Sequence, residues 1–400
     1  MRPTNLHGAC LVTHELVRRA DLHLAAGHFA DRPPEGSAYD VDLAGHVIYP
    51  GLINCHDHLQ LNNIPPLPQN AAFPNSYVWS QAFREHFGHT AVAAAIAVDP
   101  RVRFRHGALK NLLSGATTVA HHDPFPTEDR GLDFPVRLLR DFGWSHSLGL
   151  GTPDPDSSDQ ARYGPAIVAS FAATPAHVPW MVHLAEGTDA LAAAELDRLE
   201  AMGCLADNTV LIHGVGLTDS QVQRVIEIRA GVVWCPSSNL RLLRKTLNPR
   251  LLFEAGRLAL GTDSRLTGSR DLLSELRVAA AHSNLTPREL LRLATSAGAS
   301  MLRMGNTGGL ERAQTADLVV LRDHGDDPYR QLLKTNRADL RAVVRGGVPL
   351  LADPDFASWF SAVGIDVIEI HLDGRPKLLS AAHCAAIGLE PGVTRVPSHG

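Results

Sequence analysis

The sequence predicts an α/β protein: a parallel (β/α)8 barrel of TIM type, with a small β-sandwich domain built from both chain ends. Three observations carry that expectation. Short β-type runs alternate with longer amphipathic stretches through the middle of the 400 residues. Both ends show period-two alternation instead, with poor helical periodicity. Polar residues able to bind metal recur at the ends of the middle runs. Repeated β-then-α order implies a parallel sheet with helices outside it.

The elements follow in chain order. "GACLVT", "ADLHLAAGHF" and "AYDVDLAGHVIYPG" read as short strands with turns. "IYPGLINCHDHLQ" then opens the middle region. Six further runs follow: "TTVAHHD" (117–123), "WSHSLGLG" (144–151), "WMVHLAEG" (180–187), "TVLIHGVG" (209–216), "GVVWCPSS" (231–238) and "LALGTDS" (258–264). Helical segments between them include "FRHGALKNLLSGA", "FPVRLLRDFG", "TDALAAAELDRLEAMG" and "TDSQVQRVIEIRAG". That makes seven runs, one short of an eight-stranded barrel. The missing strand is expected between residues 123 and 180, where "PDPDSSDQ" (153–160) reads as a polar loop. Beyond "TPRELLRLATSAGASMLRM" the pattern returns to strands: "ADLVVLR", "LRAVVRGGVPLLA" and "IDVIEIHLDGRPKLL". Asp373-Gly374 suits a tight hairpin turn. The expected units are residues 1–48 with 316–400 as the β-sandwich and 49–315 as the barrel.

Composition excludes several classes. Formal net charge is −5 with no basic stripe, so nucleic acid and anionic membrane are not expected partners. No uninterrupted apolar run could span a bilayer. Charges and histidines break any apolar core near the N-terminus, so a signal peptide is not expected there. The five cysteines are scattered, without a CxxC pair. That pattern fits a reducing cytoplasm and argues against a disulfide framework and a cysteine zinc site.

The chemistry lies at the strand ends. Strand side chains alternate faces, so His56 and His58 share one side while Cys55 and Asp57 take the other. In a parallel barrel the working groups sit at the C-terminal strand ends. Here the runs end in His56/His58, His121/His122, His183 with Glu186, His213, Ser237-Ser238-Asn239, and Asp263. One such residue can be a strand cap; six coincident strand ends fit a capping role poorly. Three or more histidines plus a carboxylate make a zinc or ferrous site. Bound zinc brings a water's pKa to about 7. Glu186, three residues past His183, can lean over that water from the following loop and transfer its proton. Its alternative role is a helix N-terminal acid. Alternation turns one of His121 and His122 inward, as a substrate contact or a packed, hydrogen-bonded ring. Arg265 could pair with a substrate carboxylate or sit in a salt bridge. Trp79, in the loop after the HxH strand, could stack on a flat ring or simply pack.

"PGLINCHDH" resembles the first-strand signature of the amidohydrolase superfamily, PGLI(D/N)xHxH. "HLAEG" is similar to the HxAE motif of the branch holding s-triazine hydrolases, guanine deaminase and adenosylhomocysteine-type deaminases. "WCPSSNLRL" resembles that branch's CPxSNxxL, and "LGTDS" its GTDS. The four motifs occur in family order across nearly the whole chain. The resemblance implies that His56, His58, His183 and Asp263 hold one divalent metal, zinc first and iron second. It implies that His213 sits beside the attacking water, that Asp263 also accepts a hydrogen bond from it, and that Glu186 shuttles the proton. Ser238 and Asn239 would hold the rim loop. "WSHSLGLG" offers no lysine for a bridged two-metal centre. The implied reaction is hydrolytic deamination of an amino-substituted heterocycle, releasing ammonia. The alternative is ring opening of a cyclic amide, as in imidazolonepropionase-like relatives. The partners implied are a small-molecule substrate and, as in many relatives, a second copy of the chain. A non-catalytic barrel would have lost ligands, and here all are present. Without PCxxC, a nucleic-acid-editing zinc deaminase is excluded. Two features depart from the family pattern: the stretch 123–183 is short for this branch, and His121-His122 matches no motif.

Overall fold

The structure is a computed structural model that describes residues 2–31, 36, 38–69, 71–124, 134–149 and 164–397. The polar stretch 153–160 lies outside the described residues. The N-terminal strands are β1 (Thr4–His7), β2 (Cys10–Val12), β3 (Val17–Arg19), β4 (Leu22–Ala25), β5 (His28–Ala30), β6 (Tyr39–Asp42) and β7 (His46–Pro50). One sheet orders them β5-β4-β1-β6. The rest join a nine-stranded sheet described below.

The central strands are β8 (Leu52–Asp57), β9 (Ala116–His121), β10 (Arg137–Leu139), β11 (Gly143–Ser147), β12 (Trp180–Leu184), β13 (Thr209–His213), β14 (Gly231–Trp234) and β15 (Leu258–Leu260). All their ladders are parallel. They form two arcs, β10-β9-β8 and β11-β12-β13-β14-β15. Where β15 meets β8, the His56 carbonyl accepts from Thr262 N (3.1 Å) and Asp263 N (3.0 Å). β10 is the strand the run count lacked. It lies inside "FPVRLLRDFG", where the sequence predicts a helix. Three residues are too few to show a period. Its spacing of Val136, Leu138 and Leu139 suits either state. Pairing with β9 and the Arg137–Asp317 ion pair at 2.5 Å hold it extended.

The C-terminal strands are β16 (Leu318–Arg322), β17 (Ala342–Arg345), β18 (Val348–Ala352), β19 (Val367–Leu372), β20 (Arg375–Ser380) and β21 (Val393–Arg395). The nine-stranded sheet runs β21-β19-β20-β18-β17-β16-β7-β2-β3, so both chain ends share it. The join is the antiparallel β7–β16 ladder, from Leu318 opposite Pro50 to Arg322 opposite His46. Asp373 and Gly374 both have positive φ, as the two-residue β19–β20 hairpin requires. Gly51 passes the chain from β7 into β8. A Cβ there would collide with Thr117 and Asp317, so only glycine lets the two sheets approach this closely.

The strands sort their side chains by alternation. Met181, Val210, Ile212, Val233 and Ala259 pack in an inner cluster, closed by Ala299 and Leu302. Their neighbours Trp180, Val182, Leu211, Val232, Trp234, Leu258 and Leu260 join the larger cluster that also holds helix side chains. Strands buried on both faces read as near-continuous apolar runs, as these do. No helix among the described residues is long and apolar enough to cross a membrane.

Candidate active site

His56 and His58 leave the end of β8, and His183 leaves β12. Their Nε2 atoms meet. His58 Nε2 lies 3.2 Å from His183 Nε2, and His56 Nε2 lies 3.3 Å from the same atom. Zinc–nitrogen bonds of about 2.1 Å at angles of about 90–110° would hold two nitrogens roughly 3.0–3.4 Å apart, so the spacing fits one shared metal. Partners on the far ring nitrogens fix two tautomers. His58 Nδ1 donates to Asp123 Oδ2 (2.6 Å), and His183 Nδ1 donates to the His146 carbonyl (2.7 Å). Each Nε2 lone pair is thereby aimed at the centre. Burial opposes the charged form of His58, yet Asp123, with Asp263 and Asp57, pushes its pKa up to about 9, so a metal binding there would displace the Nε2 proton to reach the lone pair. Burial and mutual repulsion hold His56 and His183 well below the ordinary value. The donor atoms of His56, His213 and Asp263 also lie within 4.8 Å of one another. Three imidazoles and a carboxylate therefore fit a divalent ion.

Asp263 follows β15 with φ +54°. Its Oδ2 accepts from Ser238 Oγ (2.8 Å) and Thr267 Oγ1 (2.7 Å), leaving Oδ1 at 3.9 Å from His58 Nε2. Ser238 and Asn239 sit in the first turn of the helix Pro236–Leu243; the strand read through Ser237-Ser238 ends at Trp234. Pro236 at the helix start and Asn239 turned back to His213 explain the early stop.

His213 is out of phase with its strand. Val210 and Ile212 point inward, so alternation sends residue 213 outward. A left-handed backbone, φ +76°, carries the ring back to the site. Such φ values are costly for residues with side chains and gather where function demands them. His213 Nδ1 donates to Asn239 Oδ1 (2.8 Å), and Nε2 faces Glu186 Oε1 at 3.5 Å. Ala185, also left-handed at φ +52°, turns the loop that presents Glu186. Glu195 accepts from the Ala185 N–H at 2.7 Å and from the Tyr77 hydroxyl, locking that turn. Burial raises the pKa of Glu186, offset in part by His213.

His58, His183, Glu186, His213 and Asp263 floor a cavity of about 390 Å³. Its wall comes from α1 (Ser76–Glu85), α2 (Thr90–Ala97) and the start of α3 (Pro100–Leu112). Trp79 stands on α1, not in a loop: Asn75 caps that helix by accepting from Val78 N at 3.0 Å. Its ring stacks on Phe83 at 5.5 Å, and both line the cavity. Of the adjacent histidines, His122 turns inward and stacks on His183 at 4.4 Å, with Nε2 donating to the Ser145 carbonyl. His121 turns outward against Phe104. Neither is among the cavity-lining residues. Arg265 does not face the cavity. Glu390 takes its guanidinium at 2.8 and 2.7 Å, and Nε donates to the Arg270 carbonyl.

Sequence reading passed over Asp123, His146, Ser147 and Gln60, which all line the cavity. His146 lies at the end of β11, where the strand-end rule applied to "WSHS" would have found it. It also missed the support beneath β8. Asp57 is fully buried, accepting from Lys110 Nζ (3.0 Å), Asn111 Nδ2 (2.7 Å) and Asn62 Nδ2 (2.9 Å).

The profile of the amidohydrolase family matches residues 158–357. The chain is 27% identical over 393 residues to an 8-oxoguanine deaminase of Pseudomonas aeruginosa, covering 79% of this chain and 84% of that one. It is 26% identical over 322 residues to a 5-methylthioadenosine/S-adenosylhomocysteine deaminase of Halobacterium salinarum, covering 70% and 74%. Among solved structures it resembles an adenosine deaminase from Xanthomonas campestris with bound zinc. The TM-score is 0.68 at 20% identity, covering 90% and 97% of the chains. It also resembles a zinc complex of atrazine chlorohydrolase from Arthrobacter aurescens, with TM-score 0.70 at 22% identity, covering 90% and 98%. Those two likenesses are of fold.

Proposed function

The chain belongs to the amidohydrolase family, and we propose that it is a metal-dependent hydrolase that deaminates an amino-substituted heterocycle, releasing ammonia. The observation that carries this is one constellation: three converging imidazole Nε2 atoms and Asp263, beside the Glu186–His213 pair, on the floor of a cavity of about 390 Å³. The relatives named as deaminases support the same class. We read the two parallel arcs as one closed eight-stranded barrel spanning residues 49–315. Residues 1–48 and 316–400 form its β-sandwich companion.

His56, His58, His183 and Asp263 would hold the metal, and the nitrogen-rich set suits zinc. When bound, the metal supplies Lewis-acid chemistry that makes a water nucleophilic near neutral pH. The rest belongs to the chain. Glu186 takes one proton from the attacking water as the C–O bond forms, then gives it to the departing nitrogen as the C–N bond breaks. Its raised pKa suits a group that must both accept and donate. His213, its Nδ1–H held by Asn239, presents Nε2 as an acceptor that would orient the attacking water beside Glu186. Trp79 and Phe83 give a flat ring a face to lie on.

The test is ammonia release from aminated purines, pyrimidines, pterins and triazines by zinc-loaded protein. Release from a member of the panel, abolished by chelation and restored by zinc, supports the reading. A fully metal-loaded chain that releases ammonia from none overturns it.

A further inference from the structure

The helix that walls the cavity is pinned at its start to the loop that carries Glu186. None of the ten side chains of α1 is fully buried. Its first residues, by contrast, are tied to that loop one after another. Thr188 N donates to the Pro74 carbonyl at 2.8 Å, and Asn75 Nδ2 donates to Asp189 Oδ2 at 2.6 Å. Asn75 and Gly187 pair as an antiparallel bridge. Ser76 N donates to the Glu186 carbonyl at 2.9 Å, and the Ser76 hydroxyl donates to the Glu186 carboxylate. A Cβ at Gly187 would run into Asn75 and Ala192, so only glycine lets the two segments meet this closely.

Tyr77 and Glu195 close the join. Ala185, fully buried and left-handed, donates its N–H to Glu195 Oε2 at 2.7 Å. The other oxygen of Glu195 accepts from the Tyr77 hydroxyl. That hydroxyl accepts in turn from Gly149 N at 3.0 Å and from the Ser147 hydroxyl, at the end of β11. Glu195 is 2% exposed and forms no ion pair among the described residues. Taking a carboxylate out of water without a paired charge is costly. Here both its oxygens hold donors that fix a turn. Neither Tyr77 nor Glu195 is among the cavity-lining residues.

We propose that Tyr77 and Glu195 are positioning residues that make the placement of Glu186 depend on α1 being seated against the barrel. Glu195 fixes the backbone one residue before Glu186, and Tyr77 carries the state of α1 to Glu195. A helix with few buried contacts opens at low free-energy cost. A flat ring lying on Trp79 and Phe83 holds α1 down, so ring binding and alignment of Glu186 support each other. Such a coupling is reciprocal: what loosens the loop also loosens α1. A misplacement of about 1 Å near the reacting atoms can cost on the order of 100-fold in rate. The inference rests on the reading of Glu186 as the proton carrier of a heterocycle deaminase.

The experiment uses full-length, zinc-loaded Tyr77→Phe, Glu195→Ala and Glu195→Gln. Two quantities are read. One is kcat per bound zinc for ammonia release from the aminated heterocycles. The other is amide hydrogen exchange of the ligand-free protein, followed by mass spectrometry over 76–85 and 184–188, with β13 and β16 as reference strands. In Tyr77→Phe and Glu195→Ala, kcat should fall by about tenfold or more while one zinc per chain is kept. Tyr77→Phe should speed exchange at 184–188, and Glu195→Ala should speed it at 76–85, with the reference strands unchanged. Glu195→Gln keeps an acceptor for the Ala185 N–H and should recover part of the lost rate. Tyr77→Phe added to Glu195→Ala should cost less than Tyr77→Phe alone.

Wild-type kcat in both Tyr77→Phe and Glu195→Ala overturns the proposal. So do slow variants whose exchange is unchanged at both segments. Exchange that rises equally in the reference strands marks a general loss of stability and also overturns it. Strict additivity in the double variant overturns the link from Tyr77 through Glu195. Failure of the deaminase reading looks different: no ammonia from any probe with the wild type, while the reciprocal exchange changes remain and uphold the coupling.

Discussion

Replacing Lys110 with methionine should unfold this protein more readily than its distance from solvent suggests. Lys110 and Asp57 form an ion pair whose side chains are both fully buried. Lys110 Nζ donates to Asp57 Oδ2 at 3.0 Å and to Thr262 Oγ1 at 3.3 Å. Removing one member of a buried pair costs about 3–5 kcal/mol, because the other charge is left uncompensated. In Lys110→Met the carboxylate keeps the Asn111 and Asn62 amides. That places the cost near the lower end, about 3 kcal/mol, or roughly a hundredfold in the folding equilibrium. The assay is urea unfolding of metal-saturated protein, followed by far-ultraviolet circular dichroism. The double variant Asp57→Asn/Lys110→Met leaves no buried charge, so its loss should be smaller than the sum of the single losses. A loss below about 1 kcal/mol in Lys110→Met, or strict additivity in the double variant, would refute the reasoning. Asp57 lies between two metal-competent histidines, so the single variant should also bind zinc more weakly.

Two further outcomes follow from the same geometry. Asp123→Asn removes the charge that orients His58, and losses of this kind cost about 10–100-fold in metal affinity. Competition with a chelator should find that drop, and an unchanged zinc Kd would show that Asp123 does not orient the ring. Glu275 is fully buried, and burial pushes its pKa up to about 7 despite hydrogen bonds from Ser237 and Ser269. A carboxyl raised in the fold contributes stability that is complete below its unfolded pKa and is lost as pH rises through the folded one. The Glu275 contribution should therefore fall by about 3 kcal/mol between pH about 4.5 and 7, read as the difference between wild type and Glu275→Gln, since the buried histidines slope the other way. Glu275→Gln should flatten that slope, and superimposed curves for the two proteins over that window would contradict it.

The parts of this fold that were legible in the sequence are those where a residue's neighbours along the chain set its environment. The long apolar runs at 180–184 and 209–213 announced buried parallel strands. Asp373-Gly374 announced its hairpin. β10 was hidden because three residues carry no period and because its extended state depends on Thr118 and Asp317, distant in sequence. Trp79 was misplaced for a similar reason: its helix rests on one Asn75 cap and on Ser76 N donating to the Glu186 carbonyl, 110 residues on. At the site, the strand-end rule named His56, His58, His183 and Asp263 among its candidates, and the fold brings their donor atoms together. The rule could not foresee that His213 reaches the site only through a left-handed backbone. Nor could it see Arg265 drawn off by Glu390 near the far end of the chain. Those outcomes depend on three-dimensional partners that no local spacing encodes.

The most direct test of the account is turnover by Glu186→Gln, measured with zinc content on the same sample. Proton transfer by a positioned carboxyl contributes about 10²–10⁴ in rate. The account therefore predicts ammonia release at least a hundredfold slower than wild type, with one zinc retained per chain. Wild-type turnover in the variant would contradict Glu186 as the proton carrier. A slow variant that has also lost its zinc would contradict the division between Glu186 and the four metal-holding residues.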